Sequence, residues 1–180
     1  MRTLVVYCHP DPQSFTAAVR DRAVSALRRS GHDVRVTDLY AEGFDPLFSA
    51  EERQRHLEPG PDPSVAHHAA DLQWCERLVL IYPTWWSGQP AILTGWLAAL
   101  PSDALRGVAR LVAVTTHGSS KWVNLLEGET GRRIVTHTLR RRCAPGARAE
   151  WHAFYGIDRA DDARRTAFVA EVERTLSRSR

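Results

Sequence analysis

Three nearly unbroken apolar stretches, Leu4–Tyr7, Leu78–Tyr82 and Leu111–Thr115, constrain this chain more than any other feature. A strand with one wet face alternates apolar and polar residues. A continuous run belongs to a strand covered on both faces, as in a parallel sheet. Two weaker β-type runs, Val34–Val36 and Trp151–Tyr155, bring the number of expected strands to five. The segments between them change period. Phe15, Val19, Ala23, Ala26 and Leu27 recur at helical spacing, and Ser30-Gly31 closes that helix behind Arg28 and Arg29. Strand and helix alternate throughout, which predicts an α/β fold around one central sheet.

Other helix signals support the same organisation. Ser49-x-x-Glu52 reads as a capping box for a short helix. Val65, Ala69 and Leu72 share one face of a helix expected from about Ser64 to Cys75. Pro90 suits the first turn of a helix carrying Ile92, Leu93, Trp96, Leu97 and Leu100. Asp161-Asp162 opens a last helix and Arg174, Arg178 and Arg180 close it, matching the macrodipole at both ends. The stretch Pro59-Gly60-Pro61-Asp62-Pro63 reads as a surface loop, so residues 1–180 are expected to form a single domain.

Composition narrows the function classes. The chain has 24 basic and 21 acidic residues, and only Lys121 among the basic ones is lysine. The arginines are interspersed with acids, and the one dense run, Arg140-Arg141-Arg142, suits a solvated helix end. No basic stripe with interleaved aromatics is present, so nucleic acid is not an expected partner. The longest apolar runs fall far below the roughly 18 residues of a transmembrane span, and no secretory signal pattern precedes the first strand. Cys8, Cys75 and Cys143 are odd in number, widely spaced and without a C-x-x-C pair. That fits a reducing cytoplasm and gives no disulfide framework or metal ligand set.

In an open parallel sheet, ligands bind outside the carboxyl ends of the strands, where strand order reverses. Three loops follow the apolar runs. The first, Cys8-His9-Pro10-Asp11-Pro12-Gln13-Ser14-Phe15-Thr16, has no G-x-G-x-x-G and no Walker lysine. It sets an imidazole and hydroxyls around a helix N-terminus, a place that suits a phosphate as readily as a simple cap. The second is Tyr82-Pro83-Thr84-Trp85-Trp86-Ser87-Gly88-Gln89-Pro90. Its neighbouring tryptophans cannot both enter the core from a short turn, and flat rings held there suit a planar ligand; the alternative is that both pack under the helix that follows. The third, Thr115-Thr116-His117-Gly118-Ser119-Ser120, could turn backbone N–H groups to a ligand's carbonyls or ring nitrogens, or be a solvated, hydroxyl-rich turn.

Together these loops resemble the flavodoxin-like NAD(P)H:quinone oxidoreductases of the DT-diaphorase type. The segment at 82–96, Tyr-Pro-Thr-Trp-Trp-Ser-Gly-Gln-Pro-Ala-Ile-Leu-Thr-Gly-Trp, looks like the family signature. His-Pro-x-x-x-Ser-Phe at 9–15, Asp45-Pro46-Leu47 and the Thr-Thr-His-Gly turn follow in family order. The resemblance implies a doubly wound five-stranded parallel sheet of order 2-1-3-4-5 that binds FMN or FAD. His9, Ser14, Phe15 and Thr16 would then hold the flavin phosphate. Pro83, Thr84, Trp85, Trp86 and Ser87 would line the ring, and Thr115, Thr116, His117 and Gly118 would meet its pyrimidine edge. It further implies an enzyme that takes electrons from NAD(P)H through the flavin to a quinone-like acceptor, working as a homodimer. Two departures bear on the acceptor: only Leu97 to Gly107 separate the Gly-Trp motif from the fourth strand, and no tyrosine in register follows the Thr-Thr turn.

Rival readings have less support. A zinc-dependent deacetylase would need a second carboxylate where Pro12 stands and an H-x-x-H pair, which is absent. His67 and His68, adjacent on a helix, are expected to point apart as surface residues. G-x-S-x-G is missing, so a serine hydrolase fails. The alternative that fits the same loops is a non-catalytic, redox-sensing subunit beside a partner such as a transporter.

Overall fold

The computed structural model describes residues 1–47, 50, 54 and 65–178. Strands β1 (Arg2–Tyr7), β2 (Asp33–Asp38), β3 (Arg77–Thr84), β4 (Arg110–His117) and β5 (Arg148–Tyr155) form one parallel sheet in the order β2-β1-β3-β4-β5. All five expected strands are present, and each extends past its apolar run. Among the added residues Arg77, Arg110, Thr84, Thr116 and His117 are polar, and their side chains find partners at the two ends of the sheet.

Helices cover both faces. On one lie α1 (Phe15–Arg29) and the last helix, α6 (Asp162–Ser177). Val5, Tyr7, Val79, Ile81, Val112 and Val114 meet them through Val19, Leu27, Phe168 and Val172. On the other lie α2 (Ala66–Trp74), α3 (Ala91–Ala99) and the helical segment 130–142, here α5, over Leu4, Val6, Leu78, Leu80 and Leu111. Alternate residues of one strand therefore feed opposite cores, which is why β1, β3 and β4 carry no polar alternation. Truncating a buried leucine here, such as Leu80→Ala, costs about 2–5 kcal/mol.

The boundaries follow their local chemistry. Ser14 caps α1 by accepting from Ala17 N at 3.1 Å, and Asp161 caps α6 by accepting from Arg164 N at 2.8 Å. Pro90 occupies the cap position of α3 rather than its first turn. The capping box at Ser49–Glu52 and the loop at Pro59–Pro63 lie outside the described residues, as does Ser64, and α2 is described from Ala66. A short helix α4 (Lys121–Leu126) precedes α5, whose middle, Ile134–Leu139, is wound as a π-helix. Gly95 in α3 touches the chain leaving β2: a Cβ there would lie 2.6 Å from Pro46 O, so only glycine lets the two backbones approach.

The cysteines are free and buried, and burial pushes the Cys75 and Cys143 thiols up to about 12 and about 11. Among the described residues no helix is long and apolar enough to cross a membrane.

Candidate functional site

The strand order reverses between β1 and β3, and the loops leaving β1, β3 and β4 meet at that carboxyl edge. They enclose an open cleft of about 1090 Å³. From the first loop come His9, Ser14, Phe15 and Thr16; from the second, Pro83, Thr84, Trp85, Trp86 and Ser87; from the third, Thr116 and Gly118. Thr115 and His117 are buried behind these residues and do not line the cleft.

The first loop leaves backbone donors free where α1 begins. The backbone amides of Phe15 and Thr16 start α1 without intrahelical acceptors, and the first turn carries no acidic residue to compete for them. His9 is held in place by its own loop. Asp11 N lies 3.0 Å from His9 Nδ1 and donates to it when that nitrogen carries no proton. Asp11 O lies 3.1 Å from the same Nδ1 and accepts from it when it does. Nδ1 therefore has a backbone partner in either tautomer.

The second loop stores strain. Trp85 and Gly88 exchange backbone hydrogen bonds (3.2 and 3.0 Å) across a two-residue turn. The central residues, Trp86 and Ser87, have φ of 49° and 59°, the left-handed geometry that such turns usually give to Asn and Gly. Placing a tryptophan and a serine there costs on the order of 1–3 kcal/mol each, and such strain is found where function requires it. Neither indole is a core residue: Trp85 is 42 % exposed and Trp86 fully so. The turn is pinned from outside, by a Ser87–Glu127 hydrogen bond and by Gly131 N donating to Ser87 O at 3.1 Å.

Behind the cleft the strand register places Thr84, His117 and Tyr155 side by side on β3, β4 and β5. Asn124 Nδ2 donates to Ser120 O at 2.8 Å, which leaves Asn124 Oδ1 to accept from His117 Nδ1 at 2.8 Å. His117 Nε2 is then an acceptor, 3.2 Å from the Thr84 hydroxyl, and Thr115 Oγ1 lies 2.6 Å further along. Burial lowers the His117 pKa against the opposing influence of Asn124 and the Glu129 charge, so the ring is neutral. Tyr155 stacks on it at 4.5 Å and donates to Glu129 at 3.0 Å. Burial works to raise the Glu129 pKa, but hydrogen bonds from Arg132 and Tyr155 hold it below the usual carboxylate range. The third loop is linked to the first by Thr16 and Thr116, whose hydroxyls lie 3.1 Å apart.

Sequence reasoning missed part of the wall. Asn124 and Glu127 come from the α4 region, Thr130 opens α5, and Asp158 and Arg165 follow β5. Gly118 lies against that segment: a Cβ added there would stand 2.8 Å from Asp158 Oδ2, the movable end of a side chain. The expectation for His67 and His68 is corrected. They do not point apart: the rings lie 3.8 Å from each other, and His68 is buried.

The profile of a family described as flavodoxin-like fold matches residues 1–136. The chain belongs to this family. All three cleft loops and the 82–96 segment fall within the matched residues. The sequence is 29% identical over 163 residues to an uncharacterized NAD(P)H oxidoreductase of Haemophilus influenzae, covering 89% of this chain and 72% of that one. It is 32% identical over 112 residues to NAD(P)H dehydrogenase (quinone) 1 of Cavia porcellus, covering 53% of this chain and 41% of that one. The chain spans about two fifths of the length of the first curated relatives it matches. Its fold superposes on the NAD(P)H:quinone oxidoreductase of Methanothermobacter marburgensis with a TM-score of 0.86 at 21% identity, covering 98% of this chain and 94% of that one.

Proposed function

We propose that the cleft binds a flavin, FMN or FAD, and that the chain is an NAD(P)H-dependent oxidoreductase passing two electrons to a quinone or a similar flat acceptor. The observation that carries this reading is convergence. Of the residues assigned to a flavin from sequence, all but Thr115 and His117 line one cleft, and those two stand directly behind it.

The residues fit such a ligand end to end. The start of α1 offers two amides, a capping serine and the His9 imidazole to a phosphate. Trp85, held 6.1 Å from the His9 ring, offers an aromatic wall to a planar ring system. The hydroxyls of Thr84 and Thr116 and the Gly118 backbone supply polar contacts opposite. When bound, a flavin supplies the two-electron chemistry itself. The chain's part is to hold the phosphate, to fix the ring edge against polar groups that need no rearrangement, and to keep those groups in one hydrogen-bonding orientation. His117 does the last of these, because its Asn124 bond forces Thr84 to donate toward Nε2.

A homodimer belongs to the same reading. Trp86, Trp122, Leu125 and Leu126 are exposed on the turn and on α4 beside the cleft, an apolar surface suited to burial by a second copy. The test starts from the purified chain: a flavin absorption band, identification of the released cofactor by mass, then NADH and NADPH oxidation with and without a quinone. A protein that takes up neither flavin overturns the reading. One that binds flavin without oxidising either nucleotide moves it to the redox-sensing subunit.

A further inference from the structure

Away from the cleft, three potential metal ligands converge where the chain leaves β2 and enters α2. Glu42 lies in the turn after β2, and His67 and His68 sit in the first turn of α2. We propose that Glu42, His67 and His68 form a binding site for a divalent cation of the Zn²⁺ class, with its remaining coordination positions left to water.

The case rests on geometry. Adjacent residues of a helix do not face each other. Here both side chains nevertheless turn to one carboxylate oxygen: Glu42 Oε2 is 2.9 Å from His68 Nε2 and 3.6 Å from His67 Nε2. All three donor atoms lie within 4.8 Å of one another. Two ligands bound tetrahedrally at Zn–N and Zn–O distances near 2.0–2.1 Å stand about 3.3 Å apart, so small side-chain shifts would bring the set into place. A simple ion pair accounts for only part of this. At 3.6 Å the His67 contact is too long for a hydrogen bond, and one shared proton satisfies a single imidazole. A cation uses all three lone pairs.

The surroundings suit a site open on one side. His68 is 2 % exposed and held edge-on by Phe44 at 6.0 Å and Trp96 at 5.8 Å, which fixes its ring. His67 and Glu42 are exposed and give a cation its entry path. Two imidazoles with one carboxylate favour Zn²⁺ and its neighbours over Mg²⁺ or Ca²⁺, which take oxygen ligands. Bound there, the cation would clip together positions 26 residues apart in sequence. The site shares no residue with the cleft and does not depend on the flavin reading.

The experiment is a Zn²⁺ titration of the untagged chain by calorimetry, with Co²⁺ as a spectroscopic stand-in. One Zn²⁺ per chain is expected, together with visible Co²⁺ bands of a low-coordinate nitrogen and oxygen site. His67→Ala and Glu42→Gln, both at exposed positions, should each raise Kd by at least about tenfold without altering the circular dichroism spectrum. His137→Ala, at an exposed histidine elsewhere, should bind as the unaltered chain does. Absence of saturable binding, or binding that survives both His67→Ala and Glu42→Gln, overturns the proposal and leaves a His68–Glu42 hydrogen bond only.

Discussion

The two ends of the sheet solve opposite problems. At the amino end, Arg77 is fully buried and its guanidinium donates to Leu176 O at 2.8 Å and Arg178 O at 3.0 Å. Arg110 beside it pairs with Glu150 at 2.6 Å and reaches Arg178 O at 3.1 Å. Two cations there meet carbonyls at the C-terminus of α6, where the helix dipole favours them. At the carboxyl end, tryptophans stand in solvent, a turn carries two strained residues, and an open cleft separates the loops. One end is closed on itself and the other is arranged for something that comes from outside. A fold can hold costly loops at one end when the opposite end is tied down independently.

The largest expected effect comes from breaking the closed end. Burial, with the nearby Arg110 charge, lowers the Arg77 pKa to about 10, yet the group keeps its charge at neutral pH. Arg77→Ala removes charge-assisted hydrogen bonds and leaves a void, which should cost about 3 kcal/mol. For a chain of this size that is a fall in Tm of roughly 6–12 °C. Flavin affinity, measured well below the transition, should not change. A parallel loss of affinity would show that the ends are coupled and that the contrast drawn between them is false.

The next effect belongs to the open end and should show the reverse pattern. Trp85→Ala removes a half-exposed ring from the cleft wall while leaving the Trp85–Gly88 backbone bonds in place. Flavin affinity should fall by about tenfold, the equivalent of roughly 1.4 kcal/mol. Tm in the absence of flavin should move by less than about 2 °C. A collapse of stability with unchanged affinity would make Trp85 a packing residue.

A smaller effect sharpens the claim of strain. Trp86 is fully exposed at φ 49°, so Trp86→Gly surrenders no burial within the chain and relieves the backbone. After the entropic cost of glycine, a net gain of about 0.5 kcal/mol is expected, read as a rise in Tm of about 1–2 °C. Light scattering on the same variant tests the dimer. A fall in Tm together with a shift to monomer would mean that a second copy buries this indole.

How much of this was legible in the sequence differs between the same two ends. Apolar runs and helix spacing led to the strands and most helices, because both depend on local pattern. Ser14 could be read as a cap, and Asp161 as the start of the last helix, for the same reason. The loops after β1, β3 and β4 were legible because an apolar strand announces where its loop starts. The wall given by Asn124, Glu127 and Asp158 was not. Those residues lie on short polar elements whose position is set by contacts across the chain, such as Ser87 with Glu127 and Gly118 against Asp158. The π-wound stretch Ile134–Leu139 leaves no sequence signal of its own. His67 and His68 misled for a related reason: helical geometry separates neighbouring side chains, and among the described residues both approach Glu42, far away in sequence.

The smallest effect asks where the rigid part of the molecule ends and the receptive part begins. His117 lies at that boundary, under the cleft and inside the sheet. Its ring is faced by Asn124, Thr84, Tyr155 and Trp151, and the Glu129 carboxylate is the charge that acts on it. Burial is the main cause of its lowered pKa. In the unfolded chain the imidazole takes up a proton near pH 6.5. In the folded chain burial lets it do so only at lower pH. Between those two values the unfolded state binds more protons, so stability falls as pH drops below about 6.5 and is unaffected by this group well above it. The slope cannot exceed that of one proton, about 1.4 kcal/mol per pH unit. His117→Gln removes the titration, so the difference in urea stability between pH 7.5 and pH 5.5, both chosen to bracket about 6.5, should be smaller in the variant. The buried His32, whose pKa is also lowered, contributes to both proteins and cancels in the comparison. Equal pH dependence in the two proteins would mean that His117 titrates normally, that water reaches it, and that the receptive end extends one layer deeper than the hydrogen bonds imply.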